Sequence, residues 1–253
     1  MPSLRNLPGR VLAALALSVC SAAPLAGEFT ILPLRVALDR GTRAAEIVVR
    51  NEDQAPLRMQ IEAMSWQQGA DGKDRYEPTD GLIYFPRALE VPPGESRIVR
   101  VGIRAAPVTR EETYRLFIEQ LPPPGKEEAP VGATVRVFIR VGVPVFVAPA
   151  QAQRKAEITR LQMKTGQVHW TVANTGNVHF VAERVELTAL GRDGTRLHSD
   201  QYLERYFLAG VEKPLLATMP REICPKIAAI EAIVAGDSVD LRRKINVEPG
   251  ACH

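Results

Sequence analysis

One segment limits the fold of this chain more than any other. Residues 133–147 read ATVRVFIRVGVPVFV, with a valine or isoleucine at every odd position from 135 to 147. Strict alternation of β-branched residues over this length is typical of a β-strand with one apolar face. Pro144 has no N–H to donate to a sheet, which puts its part of the strand at an edge or at a change of partners. A strand of this length needs a sheet around it, so the segment predicts a β-rich fold.

Shorter alternating runs occur along the rest of the chain, separated by clusters of Gly, Pro, Asn and Asp. They predict strands at residues 57–66, 98–103, 114–121, 167–173, 180–190 and 202–208. The polar residues around 148–156 interrupt this pattern and indicate a linker. The sequence therefore predicts an all-β protein of two immunoglobulin-like β-sandwich domains, at residues 28–148 and 155–253.

One region near the C-terminus is compatible with two structures. Ile227, Ile230 and Ile233 can form the apolar stripe of a helix. Alternatively, Pro225 begins a single helical turn, and a strand starts near Ile230 and turns back at residues 236–237. We adopt the second interpretation.

Composition supports a globular protein and narrows its partners. The chain has 253 residues, of which 45% are hydrophobic and 24% charged, which excludes disordered and collagen-like classes. Without Arg5 and Arg10 near the N-terminus, 30 basic residues face 29 acidic ones. Because a nearly neutral chain has no overall attraction for polyanions, we expect no nucleic-acid partner.

The N-terminus has the three parts of a secretory signal peptide. Arg5 and Arg10 precede an apolar run at residues 11–19, and small residues follow it. We expect residues 1–26 to form a cleaved signal; a buried N-terminal helix is the alternative. The apolar run is too short to span a bilayer, and no other segment approaches the required length, so we expect export without membrane insertion.

The cysteines agree with an exported protein. Cys20 lies in the predicted signal, in a sequence similar to a lipobox except that Val19 stands where a small residue is required. Cys224 and Cys252 remain, and in an oxidising compartment they can form one disulfide. Two separate reduced cysteines are the alternative.

The sequence contains no motif of a known catalytic site. GxSxG, HExxH, P-loop and GxGxxG patterns are all missing from it. The pairs Glu111-Glu112 and Glu127-Glu128 adjoin predicted loops, where solvated carboxylates are expected. If residues 174–177 close a hairpin, His169 and His179 point to opposite faces and share no metal. We therefore expect no enzyme activity, no cofactor and no metal site.

Several of these segments occur together in one known family. The combination resembles the PapD-like periplasmic pilus-assembly chaperones of the chaperone–usher pathway. The matching segments of the first domain are LRVAL at 34–38, the turn at 51–56, the strand ending in Trp66, VPPGESRIVRV at 91–101, TYRLFI at 113–118 with LPP at 121–123, and the strand at 135–149. The second domain matches more weakly, through WTVANTGN at 170–177.

The resemblance implies two sandwiches in an L-shaped arrangement, with a cleft between them. It implies that the protein binds pilus or fibre subunits and delivers them to an outer-membrane usher. A subunit of this kind lacks its last strand, and the chaperone supplies one of its own edge strands, which is called donor-strand complementation. The donor residues of this sequence are then Val135, Val137 and Ile139. The alternative is that these three side chains point into the core of their own domain.

The resemblance also implies a clamp for the C-terminal carboxylate of the subunit. Arg35, sixteen positions before Asn51, matches the first basic residue of that clamp. The second is usually a lysine, and Pro144 occupies its position in this chain. Arg140 has the same strand parity as Pro144, about 13 Å away, and is the candidate substitute. Ala148 stands where the family often has an arginine of an internal ion pair, which indicates a divergent branch.

Two functional hypotheses follow from the sequence. The first is a periplasmic chaperone of pilus subunits. The second is an exported structural or adhesive protein of two immunoglobulin-like domains with no transient client.

Export and oxidation can be tested together. The protein isolated from the periplasm should lack about 26 residues and contain no free thiol, because the signal is removed and Cys224 pairs with Cys252. Intact-mass measurement before and after alkylation checks both expectations. Two alkylatable cysteines in the mature protein would refute the disulfide.

Overall fold

The structure, a computed structural model, describes residues 29–104, 109–122 and 137–252. Almost all regular structure in these residues is β-strand, apart from one short 3-10 helix at Cys224–Lys226. The predicted all-β class is confirmed. No helix among these residues is long and apolar enough to cross a membrane. The predicted signal peptide lies outside the described residues.

The first sandwich packs two sheets against each other. One sheet has the order β1-β3-β8-β6; the other has the order β2-β10-β9-β4-β5, with β7 also paired to β4. Their inner faces form one core, to which Val49, Met59 and Leu116 contribute fully buried side chains. The strands are β1 (Phe29–Leu32), β2 (Val36–Leu38), β3 (Ala44–Asn51), β4 (Leu57–Gln68), β5 (Asp74–Pro78), β6 (Leu82–Phe85), β7 (Ala88–Val91), β8 (Ser96–Ile103), β9 (Glu112–Gln120) and β10 (Arg140–Val147).

The second sandwich has its own core. A sheet of order β11-β12-β16 faces a sheet of order β14-β13-β17-β18, with β15 also paired to β13. Trp170, Leu187 and Ile230 are among its fully buried side chains. The strands are β11 (Ala156–Lys164), β12 (Gln167–Asn174), β13 (Phe180–Leu190), β14 (Arg196–Gln201), β15 (Tyr206–Phe207), β16 (Glu212–Thr218), β17 (Ala229–Gly236) and β18 (Val239–Asn246).

The ambiguous region near the C-terminus has the structure that we adopted. A 3-10 helix contains Pro225, and β17 follows it and turns back after Gly236. Cys224 in the 3-10 helix is joined to Cys252 by a disulfide, with the two Cα atoms 5.9 Å apart. This bond ties the end of the chain to the second core.

Three sequence predictions about strands are wrong. Residues 174–177 do not close a hairpin, because β12 pairs with β11 and β16 while β13 belongs to the opposite sheet. The turn instead crosses from one sheet to the other. The strand predicted at 202–208 is only the two residues of β15, since Leu203 and its neighbours form a loop at the surface. The strand predicted at 133–147 is wrong at residues 137–139, since β10 begins at Arg140, and residues 133–136 lie outside the described part of the chain.

Each sandwich has a buried asparagine at the end of a strand. Asn51 at the end of β3 donates to the carbonyls of Ala55 and Val91, at 2.8 and 2.9 Å. Asn174 at the end of β12 donates to those of Val178 and Phe207, also at 2.8 and 2.9 Å. Both side chains donate to a carbonyl of the following turn and to a buried carbonyl of a distant strand. The two asparagines therefore perform the same structural task in the two domains.

This role predicts the effect of Asn174→Ala. The change leaves two buried carbonyls without a donor and should lower the free energy of unfolding by about 2 kcal/mol. Urea unfolding of the mature protein, followed by tryptophan fluorescence, measures the loss. The exposed Asn246 is the matched control, and Asn246→Ala should unfold like wild type. Equal stability of the two variants would contradict the assigned role of Asn174.

Candidate functional site

Strand β10 lies at the edge of its sheet along most of its length. It pairs with β9 from Arg140 to Val147, but with β2 only at residues 145–147. Among the described residues no strand covers the other edge of residues 140–144. The Gln120 N–H donates to the Ile139 carbonyl, so odd-numbered peptide groups face β9 and even-numbered ones face the free edge. Pro144 therefore lacks its N–H on the free side, as its position at an edge requires.

The odd-numbered side chains of this segment pass from buried to exposed along the strand. Val143, Val145 and Val147 are buried in the first core. Ile139 is 39% exposed and Val137 is 75% exposed, although both have the parity of the core residues. The core ends before it reaches them, so the interpretation that they are core residues does not fit their exposure. Val135, the third predicted donor residue, lies outside the described residues.

Arg140 lies at the end of β10 that is remote from the second domain. Its guanidinium contacts Glu62 and Glu119, each at 3.2 Å, and lies 4.1 Å from the centre of the Phe117 ring. Arg35 lies in the loop before β2, at the other end of the free edge. The structure does not bring the two predicted clamp residues together.

An aromatic cluster joins the two sandwiches. Phe146 of β10 and Trp66 of β4 pack against Tyr206 and Leu208 of the second domain. The side-chain amide of Gln68 donates to the Tyr206 carbonyl at 3.0 Å, and its oxygen accepts from the Leu208 N–H at 3.0 Å. Apolar packing and paired hydrogen bonds thus fix β4 and β10 to the loop around β15.

A buried carboxylate makes a second contact between the domains. Glu111 Oε2 accepts hydrogen bonds from the backbone N–H of His179 at 2.8 Å and from its ring Nδ1 at 2.7 Å. The His179 ring stacks on Phe146 with a centroid distance of 3.6 Å. The sequence suggested that Glu111 is solvated, and this is wrong, because Glu111 is only 9% exposed. Only its neighbour Glu112 is exposed, and it accepts from the Tyr114 hydroxyl.

Two cavities lie in the cleft between the domains, and Arg35 lines both. The larger, of about 850 Å³, is bordered by the loop at residues 202–206 of the second domain. Burial raises the pKa of Tyr202 in its wall, so this side chain is a neutral hydroxyl. The smaller, of about 510 Å³, is bordered by Phe146, His179 and Arg154. Pro144, at the position of the expected lysine, lines neither cavity.

Sequence reasoning missed three residues of this cleft. Glu111 and His179 come together only because the two domains meet, and nothing in their local sequence predicts that contact. Arg154 lies in the segment that we interpreted as a linker. The only sequence signal that could have found it is its position between the two predicted domains, where a cleft was expected.

The comparisons with known proteins identify the family. Residues 28–153 match the family model described as pili and flagellar-assembly chaperone, PapD N-terminal domain. The chain belongs to the PapD-like pilus-assembly chaperones. The role of this family, assembly of pili, is not a catalytic one. No curated protein sequence matches the chain.

Solved structures of pilus chaperones share the fold. The CsuC–CsuE chaperone–tip adhesion subunit pre-assembly complex from archaic Csu pili of Acinetobacter baumannii matches with a TM-score of 0.59 and 17% identity, over 88% of this chain and 100% of that chain. The Salmonella enterica SafA pilin in complex with the SafB chaperone gives 0.56 and 16%, over 88% and 99%. The CupB2 chaperone of Pseudomonas aeruginosa gives 0.53 and 17%, over 87% and 100%. At these identities the likeness is one of fold.

The contact between Glu111 and His179 predicts a specific loss of order. Glu111→Ala removes a buried acceptor of two hydrogen bonds, worth about 1–2 kcal/mol, and should broaden the distribution of orientations between the domains. Glu111→Gln keeps an acceptor oxygen and should behave closer to wild type. Residual dipolar couplings of the two domains measure the effect.

The adjacent exposed carboxylate supplies the control. Glu112→Ala removes an exposed side chain that accepts a hydrogen bond from Tyr114 of its own domain, so the dipolar couplings should stay those of wild type. If Glu111→Ala also keeps the wild-type orientation, this pair does not hold the domains together.

Proposed function

We propose that this protein is a periplasmic chaperone that caps pilus or fibre subunits by donor-strand complementation and delivers them to an outer-membrane usher. The observation that carries the proposal is the free edge of β10, which continues into the exposed apolar side chains of Val137 and Ile139. An uncovered strand edge is a template for pairing with another chain. Because this protein belongs to the pilus-chaperone family, we take the partner of this strand edge to be a pilus or fibre subunit.

The free edge offers backbone groups that do not depend on the sequence of the subunit. The N–H groups of Arg140 and Gly142 point away from β9, and so do the carbonyls of the same residues. A strand added here gains main-chain hydrogen bonds whatever its side chains are. Val137 and Ile139 are exposed and have the same parity, which Val135 shares in the sequence, and in this proposal the three supply apolar contacts to the groove of the subunit. Because the main-chain hydrogen bonds do not depend on the side chains of the added strand, one chaperone can accept several related subunits.

Strand β2 determines where an added strand must stop. From Val145 onward β2 covers the edge, and its first residue, Val36, pairs with Val145. A strand that follows the free edge towards the cleft therefore ends beside Arg35, the residue just before β2. If that strand runs parallel to β10, its last atoms are a carboxylate. This direction supports Arg35 as the anchor for the C-terminus of the subunit.

Arg140 is a weaker candidate for the same task. It lies at the start of the free edge, and two carboxylates already neutralise its charge. A client carboxylate at that end would have to displace Glu62 or Glu119. We therefore keep Arg35 as the anchor and assign Arg140 to the surface of the sheet.

Related complexes and the N-terminal sequence support the location and the partners. The relatives from Acinetobacter baumannii and Salmonella enterica were solved with a tip adhesion subunit and a pilin, respectively. The signal-like residues 1–26 support export to the periplasm. The complex from Acinetobacter baumannii belongs to a chaperone–usher pilus system, which supports the proposed delivery to an usher.

Co-purification from the periplasm, with wild type and Ile139→Asp in parallel, tests the proposal. Ile139 is already partly exposed, so the aspartate should shift the thermal midpoint by only a few degrees. An unpaired charge in the apolar groove of the subunit should abolish recovery of the bound subunit. Mass spectrometry of the co-purified protein and the thermal midpoint of the same sample give both readouts.

Ile83→Asp is the matched control. Ile83 is also partly exposed, but it lies on β6, at the edge of the other sheet. This variant should recover the subunit at the wild-type level. A midpoint lowered by more than about 10 °C in Ile139→Asp would assign Ile139 to the core and remove the mechanism. Recovery of no partner with wild type would favour the structural or adhesive alternative.

A further inference from the structure

Two arginines from different parts of the chain line the smaller cavity of the cleft. Arg35 comes from the loop before β2, and Arg154 comes from the segment between the two sandwiches. Neither makes an ion pair with any residue that the structure describes. Two arginines lining one cavity of about 510 Å³ favour an anionic ligand, since guanidinium groups bind carboxylate oxygens well.

Two carboxylates, those of Glu111 and Asp237, line this cavity and could neutralise the positive charge of the two arginines, but only Asp237 is available to do so. Glu111 is held by two hydrogen bonds from His179 and does not contact either arginine. Asp237, in the turn after β17, also lines the cavity, and it is exposed. Among the described residues, one carboxylate without an ion pair, that of Asp237, thus stands against two arginines without ion pairs.

The larger cavity has a less favourable charge for an anion. Arg35 and Arg205 line it together with Glu183, Glu204 and Asp237. Glu204 is neutralised by Lys213, but Glu183 remains without an ion-pair partner among the described residues. Between the two cavities, the smaller one is the better carboxylate site.

The backbone on both sides of Arg154 is fixed. The Gln153 N–H donates to Asn177 Oδ1 at 2.6 Å, and the Gln153 carbonyl accepts from the Asn177 N–H at 2.9 Å. The Lys155 carbonyl accepts from the N–H groups of Thr175 and Gly176. Arg154 therefore projects from a segment that is bound to the turn after β12, although its own side chain is exposed.

Gly176 makes this close approach of the two segments possible. A Cβ at this position would lie 2.2 Å from the Gln153 carbonyl oxygen and 2.8 Å from the Lys155 nitrogen. Both are backbone atoms, so any side chain would push the Arg154 segment away. The turn at residues 174–177 and the segment that carries Arg154 can therefore pack this closely only with glycine at position 176.

We propose that Arg154 is the second cation of the subunit-carboxylate site and acts with Arg35 in the smaller cavity. This inference rests on the proposed anchoring of the subunit at Arg35. It assigns the partner role to the inter-domain segment, neither to β10, where Pro144 stands, nor to Arg140. The ligand is the carboxylate of a chain end that reaches the cleft along the free edge of β10.

The test uses a peptide pair as probe. The acetylated tetrapeptide Ac-Thr-Val-Thr-Val with a free C-terminal carboxylate is titrated into the mature protein, and the same peptide with a C-terminal amide serves as the neutral reference. Side-chain Nε–Hε resonances of the arginines report binding. The acid, but not the amide, should shift the resonances of both Arg35 and Arg154 with one dissociation constant.

Variants then separate the arginines. Arg154→Ala should weaken binding of the acid about tenfold, and Arg154→Lys should recover part of the loss, because the charge stays while the guanidinium fork is lost. Arg205→Ala and the remote Arg192→Ala should bind like wild type. Gly176→Ala should weaken binding although both arginines are kept, since it displaces the segment that carries Arg154.

The failures of the two proposals can be told apart. If the acid shifts Arg35 but not Arg154, or if Arg154→Ala binds like wild type, Arg154 is not the second cation and the anchor at Arg35 stands. A loss in Arg205→Ala alone would move the site to the larger cavity and overturn the inference. If the acid shifts neither Arg35 nor Arg154, both the anchor and this inference are wrong. The donor-strand mechanism is judged separately, by recovery of the subunit with Ile139→Asp.

Discussion

The change of partner along β10 determines the rest of this structure. Among the strands that the structure describes, only β9 pairs with β10 up to Pro144, and from Val145 onward β2 pairs with it as well. Before that point the edge is free to accept a strand, and after it the edge belongs to the domain itself. Unpaired edges are aggregation hazards that proteins usually cover. An apolar edge that no described strand covers is consistent with the proposed pairing to another protein.

The contacts between the domains give this edge a defined end. Phe146, two residues beyond Pro144, stacks on His179, and His179 is held by Glu111. The same strand therefore carries the free edge at one end and the contact between domains at the other. Arg35 and Arg154 lie around that contact, so the position of the second domain sets the shape of the proposed carboxylate site. The proposed donor edge and the proposed anchor are therefore parts of one continuous arrangement.

The periodicity of the sequence predicted the fold because burial in a β-sandwich follows it. The alternation at residues 57–63 becomes alternate burial along β4, and the valines at 143, 145 and 147 are core residues as their parity requires. The pattern does not show where the core ends, and so the exposure of Val137 and Ile139 needed the structure. The resemblance to chaperones, not the periodicity, singled out these two residues.

The cleft was less predictable for a different reason. Glu111 and His179 are 68 residues apart, and their contact depends on how two folded domains meet. The acidic pair beside a loop suggested a solvated carboxylate, which is the usual outcome when no second domain is present. Arg154 stands in a segment without periodicity, so no pattern distinguishes it from a solvated linker residue. A site formed between two domains has no local sequence pattern comparable to the alternation that predicts a strand.

Amide hydrogen exchange of β10, with and without the co-purified subunit, tests the central claim most directly. The N–H groups of Arg140 and Gly142 face the free edge, whereas that of Val141 is already paired with β9. The account predicts that the amides of Arg140 and Gly142 exchange rapidly in the free protein and become protected in the complex, while Val141 changes little. Unchanged exchange of Arg140 and Gly142 in a stable complex would show that the subunit binds elsewhere and would contradict the account.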